Sequence, residues 1–125
     1  MNLIGGAVDA GGTMFRSQGL AIDLARLAAA QDAAAFRGKQ LTLGIRPEHL
    51  MPAQAGDAIV AGAVALVEDL GADRLIHVDC SGVSLILRWS GQESFRRGDR
   101  LGLKASAGKF HWFHRGARQN IAPVS

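Results

Sequence analysis

One cysteine, three prolines and an aromatic content of 6% deny this 125-residue chain several devices that small proteins use. Cys80, without a second cysteine, excludes an internal disulfide and fits a reducing compartment. No apolar run approaches the roughly 18 residues of a membrane-spanning helix. The opening "MNLIGGAVDA" carries no basic flank ahead of its apolar residues, so no secretory signal is expected. A phosphate-cradling loop needs Gly-x-x-x-x-Gly-Lys-Ser/Thr, whose amides and lysine hold the phosphates. Here Gly38-Lys39 is followed by Gln40 and preceded five residues earlier by Ala33. There is no Gly-x-Gly-x-x-Gly either, and nothing in this chain equips it to hydrolyse ATP.

What is present is an ordinary globular balance, 48% hydrophobic and 20% charged, on a chain about one domain long. The formal charge of +3 is unevenly placed, with eight basic residues between Arg88 and Arg118 opposed by Glu93 and Asp99. Trp89, Phe110, Trp112 and Phe113 interleave with them, a combination that suits nucleic acid. A solvated basic face on a strand-rich domain explains it as well and is the preferred reading.

Apolar residues recur with a period of two, the mark of strands with one face on a core. Leu20, Ile22 and Leu24 alternate, as do Leu41, Leu43 and Ile45, then Val83, Leu85, Leu87 and Trp89, then Leu101 and Leu103. "AIVAGAVALVEDL" is apolar at both parities, which predicts a central strand covered on both sides, bent or bulged at Gly62. Gly71-Ala72-Asp73, Ser81-Gly82 and Gly98-Asp99 read as tight turns. Only "DLARLAAAQDAAAF" looks helical, with Asp23 as N-cap, and it suits a loop with one helical turn equally well. The expectation is an all-β small barrel or sandwich of short antiparallel strands with little helix. Two strand-rich units within 1–125, 1–55 and 56–125, would meet at a linker containing Pro52, Ala55 and Gly56.

The residue types that usually carry chemistry do not assemble into a site. In "LGIRPEHL" Pro47 ends the strand at Arg46, and "PEHL" predicts one helical turn with Pro at its first position. Glu48 and His49 then lie side by side, with no partner named elsewhere. His77 and Cys80 are three apart in a strand and so point to opposite faces. His111 and His114 would share a face on a helical turn, yet two ligands without a third make no metal centre. No catalytic, cofactor-binding or metal-ligating residue is assigned.

"LTLGIRPEHL", then "ALVEDLGADRLIHVDCSG", "RRGDRLGL" and "KFHWFH" closely resemble, in order, the C-terminal portion of carbohydrate-importing ABC ATPases of the maltose and glycerol-phosphate importer type. The resemblance implies an OB-like, strand-rich regulatory region of the transport-associated (TOBE) class and a chain that is not itself an enzyme. It also implies a missing ATPase domain that would take ATP and Mg, and a second copy of the ATPase subunit as partner. Membrane subunits and, in some members, a regulatory protein complete the list. The location implied is cytoplasmic, peripheral to the inner membrane. Nucleic acid is not an expected partner. Gly44, Arg46, Pro47, Glu48, His49, Asp69, Gly71 and Asp73 flank the distinctive corners and are the expected interface or regulatory positions. Capping and turn chemistry is the plainer role for any one of them. The alternative is a free-standing OB-like module that grips oligonucleotide or a small oxyanion, and an enzyme would need a convergent polar pocket that no residue pair suggests.

Overall fold

The computed structural model describes residues 1–27, 36–54, 56–106 and 109–114. Among the described residues, ten strands form two five-stranded sheets in which the paired strands run antiparallel. The first sheet contains β1 (Asn2–Val8), β2 (Met14–Ser17), β3 (Leu20–Asp23), β4 (Gln40–Ile45) and β10 (His111–His114), in the order β10-β4-β1-β2-β3. The second contains β5 (Leu50–Ala53), β6 (Val60–Asp69), β7 (Arg74–Cys80), β8 (Val83–Trp89) and β9 (Arg100–Ala105), in the order β5-β9-β6-β7-β8. The all-β expectation therefore holds. Helical structure among the described residues is limited to 3-10 turns at Leu24–Leu27 and Pro47–His49. No described helix is long and apolar enough to cross a membrane.

Each sheet is completed from across the junction expected near residue 55. β5, just before it, pairs with β9 in the second sheet, and β10 returns from the far end of the chain to pair with β4 in the first. Pro52 sits inside β5, opposite Leu103, not in a linker. An edge strand tolerates it because the missing N–H can fall on the unpaired side.

One hydrophobic core joins the two sheets. Leu41, Leu43 and Ile45 of β4 bury their side chains with Ile4 of β1 and Trp112 of β10, as the alternation in β4 predicts. Phe15 and Phe110 meet the Trp112 ring edge-on, with centroids 5.2 and 6.1 Å away. From the second sheet Ile76, Val78, Leu85, Leu87 and Leu103 close the core. Each such side chain contributes about 1.5–3 kcal/mol on burial. Asn2 adds a polar tie between the sheets: its Nδ2 donates to the Ile86 carbonyl at 2.7 Å, and its Oδ1 accepts from the Ile86 amide at 2.8 Å.

β6 departs from expectation. It is central, but only one face is buried, with Val60, Gly62 and Val64 inward and Ala61, Ala65 and Leu66 exposed. Its two-parity apolar character comes from small alanines and Leu66 on the solvent side. The register shift falls between Val64 and Leu66, beyond Gly62. Gly62 serves a close approach instead, since a Cβ there would lie 2.1 Å from the Asp79 carbonyl oxygen.

The turns follow the sequence closely. Ser81 and Gly82 both take positive φ, 53° and 88°, in a two-residue hairpin turn of the I′ kind that matches strand twist. Gly71 (φ 95°) turns β6 into β7, and Gly98 (φ 92°) leads into β9. Asp23 caps the Leu24–Leu27 turn, its Oδ1 accepting the Ala25 amide at 3.0 Å. The rest of the helical expectation, over 28–35, lies outside the described residues.

Candidate functional site

The corner at Leu43–Leu50 folds as its residues dictate. Arg46 is extended (φ −70°, ψ 144°), Pro47 occupies the first turn position, and the Leu50 amide returns to the Pro47 carbonyl. The turn packs against β8, which puts Glu48 within the field of Arg88. Its carboxyl is held below the ordinary carboxylate range, first by its own backbone amide, then by the charges of His49, Arg46 and Arg88. His49 is half-buried, its carbonyl accepts the Ser106 amide at 2.9 Å, and its Nδ1 is enclosed without a partner.

The second group of expected residues sits at the β6–β7 turn. Asp69 Oδ1 accepts the Gly71 amide at 2.8 Å, so this pair performs turn chemistry. Asp73 takes no part in that bond, and its Oδ2 accepts from Arg88 Nε at 2.6 Å. Arg88 thus pairs directly with Asp73 and is the last and smallest of three charges that lower the Glu48 carboxyl. Sequence reasoning counted Arg88 only as part of a basic run. The signal that finds it is register, because Leu75 pairs with Arg88 one position from the turn that holds Asp73.

Gly44 belongs elsewhere. It lies in the interior of β4, paired with Leu3 and His111, and a Cβ there would meet Met1 Sδ at 2.7 Å and Phe113 Cε2 at 2.8 Å. Met1 and Leu3 are half or more exposed over it.

The remaining reactive side chains are dispersed. Cys80 is fully buried, and its thiol is pushed up to about 11 by that burial and by the Asp79 charge. His77, on the opposite face of β7, contacts Glu68 Oε1 through Nε2 at 2.5 Å. His111 and His114 lie on strand β10 and not on the helical turn considered for them. No three His, Cys, Asp or Glu side chains among the described residues converge on one point. An open groove of about 800 Å³ runs beside β3, lined by Gly19, Ala21, Ala53, Ala61, Gly102 and Arg100 among others. Its walls are mainly small apolar residues.

In the basic stretch, Arg96, Arg97 and Arg100 are exposed around a turn that Asp99 ties down by accepting the Arg96 amide at 2.8 Å. Arg115 and Arg118 lie outside the described residues.

Comparison with known proteins agrees with this architecture. The MalK OB fold domain model matches residues 1–50, and the TOBE domain model matches residues 43–113. The sn-glycerol-3-phosphate import ATP-binding protein UgpC of Bordetella pertussis is 31% identical over 90% of this chain and 31% of its own length. The maltose/maltodextrin import ATP-binding protein MalK of Aliivibrio fischeri is 36% identical over 62% of this chain and 22% of its own. The chain thus spans a third or less of these relatives. A crystal structure of the cytoplasmic molybdate-binding protein ModG shares the fold, with a TM-score of 0.64 at 12% identity, covering 90% of this chain and 95% of that one. With one family model over its first 50 residues and the other over more than half its length, the chain belongs to the TOBE domain family, joined to a MalK-type OB fold.

Proposed function

We propose that this chain is the regulatory, non-catalytic domain of the ATP-binding subunit of a sugar-type ABC importer, where it helps to hold two such subunits together. The observation that carries the reading is the tandem match, a MalK OB fold followed by a TOBE domain, shared with importer ATP-binding proteins about three times as long. A pair of ATPase subunits that opens and closes needs a contact that survives the opening. Two sheets around one core supply a body stiff enough to bear it. ATP and Mg belong to the ATPase portion of such a subunit, and its membrane partners and any regulatory protein come with the assembled importer. Arg46 and Glu48, exposed charges with no role in the core, are the polar contacts offered to the second subunit or to a regulatory protein.

An immunoblot of source-cell extract with an antibody to this domain tests the reading. The expected band is about three times heavier than 13.2 kDa. A band at the mass of the chain itself overturns it. In the intact subunit, Arg46→Glu or Glu48→Lys is expected to alter dimerisation or the coupling of ATP hydrolysis to transport. The melting temperature of the isolated domain should stay put, because neither side chain is buried. A change in melting with coupling untouched would assign these residues to folding alone.

A further inference from the structure

β3 is an edge strand of the first sheet, and its outer side is bare. Ser17 and Leu20 close a two-residue hairpin, so they form a hydrogen-bonded pair, and bonded pairs alternate from there along the ladder. Phe15 and Ile22 are the next bonded pair, and the Leu24 amide then donates to the Thr13 carbonyl at 3.0 Å, in phase. Ala21 and Asp23 fall between these pairs, so their N–H and C=O groups point away from β2. Among the described residues no backbone group pairs with them. Two other edges are blunted: Asn2 takes up both backbone groups of Ile86 on β8, and β5 carries Pro52, which has no N–H to offer.

Beside β3 lies the open groove of about 800 Å³, with Gly19, Leu20 and Ala21 as one wall. Its floor is a single row, Ala53–Gly102–Ala61, which crosses β5, β9 and β6 in register and has no side chain larger than a methyl group. Arg100, paired with Ala63, stands at the end away from Ala58. Arg96 and Arg97 are exposed on the turn before it. None of these three arginines has an acidic partner among the described residues. The nearby carboxylates are occupied, since Asp79 accepts the Gly82 amide at 3.0 Å and Asp99 the Arg96 amide at 2.8 Å. At the opposite end Arg26 Nη1 donates to the Ala58 carbonyl at 2.8 Å, close to where β3 finishes at Asp23.

We propose that an extended peptide with acidic side chains adds to β3 in this groove. Its backbone pairs with the outward groups of Ala21 and Asp23, as in strand addition to an open sheet edge. Alternate side chains rest on the alanine and glycine floor, and the carboxylates meet Arg100. The charges fix the peptide's polarity, because Asp23 repels an acidic residue at the far end. The bare floor matters because a paired strand must come within about 4.8 Å of β3. Nucleic acid suits the groove poorly: no aromatic ring lines it for a base to stack on. Four residues of β3 span only about 13 Å, so the contact is short and leans on the arginine end, where salt weakens it. This surface goes beyond the importer reading and does not depend on it.

A phage-displayed random peptide library, selected on the immobilised 125-residue chain, tests the proposal. The enriched peptides are expected to carry aspartate or glutamate toward one end. Synthetic copies, followed by fluorescence anisotropy, should bind Arg100→Glu and Ala21→Pro about tenfold more weakly than the parent chain. Proline at position 21 removes only the outward N–H and leaves the β2–β3 bonds intact. Where Ala21→Pro fails to melt cooperatively, N-methylation of each alternate set of peptide amides removes the same bonds from the other side, and one set should abolish binding. Ala61→Leu raises the floor and should weaken binding as well. No enrichment, enrichment of basic peptides, or N-methylated peptides that all bind as well as their parent overturn the proposal. Oligothymidylate binding that Arg100→Glu abolishes, with no peptide enriched, also overturns it and gives the groove to nucleic acid.

Discussion

Gly44 and Gly62 look interchangeable in sequence, each a glycine between apolar neighbours, and the structure gives them different costs. A Cβ at Gly44 meets the ends of Met1 and Phe113, side chains able to shift, so Gly44→Ala is expected to destabilise by about 1–3 kcal/mol. At Gly62 the obstacle is the Asp79 carbonyl, 2.1 Å away, within the β6–β7 ladder itself. Gly62→Ala should therefore cost more than Gly44→Ala, and urea denaturation of the two variants ranks them. Cys80 makes a second prediction at this scale. Its thiol is raised from 9.0 to about 11, so above pH 9 the unfolded chain loses a proton that the folded chain retains. The unfolded state then binds fewer protons, and stability falls as pH rises from about 9 to about 11. Cys80→Ala removes that part of the slope, whatever it does to stability at pH 7. A thiol reagent at neutral pH should label Cys80 only after unfolding.

The elements divide by how cleanly their alternation stands out. β3, β4, β8 and β9 were legible because large side chains recur at every second position, and the hairpin turns because glycine marks them. β1 was not, since "NLIGGAV" places glycine where an alternation would show. Its burial is still strictly alternating at Asn2, Ile4, Gly6 and Val8. β10 was hidden for a related reason: "HWFH" has aromatic residues at both parities, and only pairing with β4 turns Trp112 inward. β6 read as buried on both sides because hydropathy counts alanine as apolar while a solvent-facing alanine costs little. The β7–β8 turn offers the test at this scale. Both turn residues have positive φ, and asparagine adopts that conformation more readily than serine. Ser81→Asn is expected to raise stability by about 0.5 kcal/mol in denaturant titration.

For the whole molecule, the tie between sheets at Asn2 is the feature most exposed to a single change. Asn2→Ala strips partners from both the amide and the carbonyl of Ile86 at the edge of the second sheet. The expected loss is about 2 kcal/mol, read from the denaturation midpoint at unchanged slope. Removing the Arg88–Asp73 pair should cost less than about 1 kcal/mol, because half of the Arg88 side chain is in water. The candidate site was half legible: the unusual corners at residues 44–50 and 69–73 announced themselves, while Arg88, which pairs with Asp73, looked like one more basic residue.

What the sequence alone determined is local: the period-two strands, the glycine turns, the proline-started corner and the absence of nucleotide-binding loops. These depend on residues within a few positions of one another. What only the tertiary structure decided is which strands lie together. β5 and β10 cross the expected midpoint because each sheet needs an edge strand that the neighbouring chain does not supply. The row Ala53–Gly102–Ala61 exists only once the register of β5, β9 and β6 is fixed. A shift of one residue in β9 would turn Gly102 inward and put Leu101 and Leu103 on the floor of the groove.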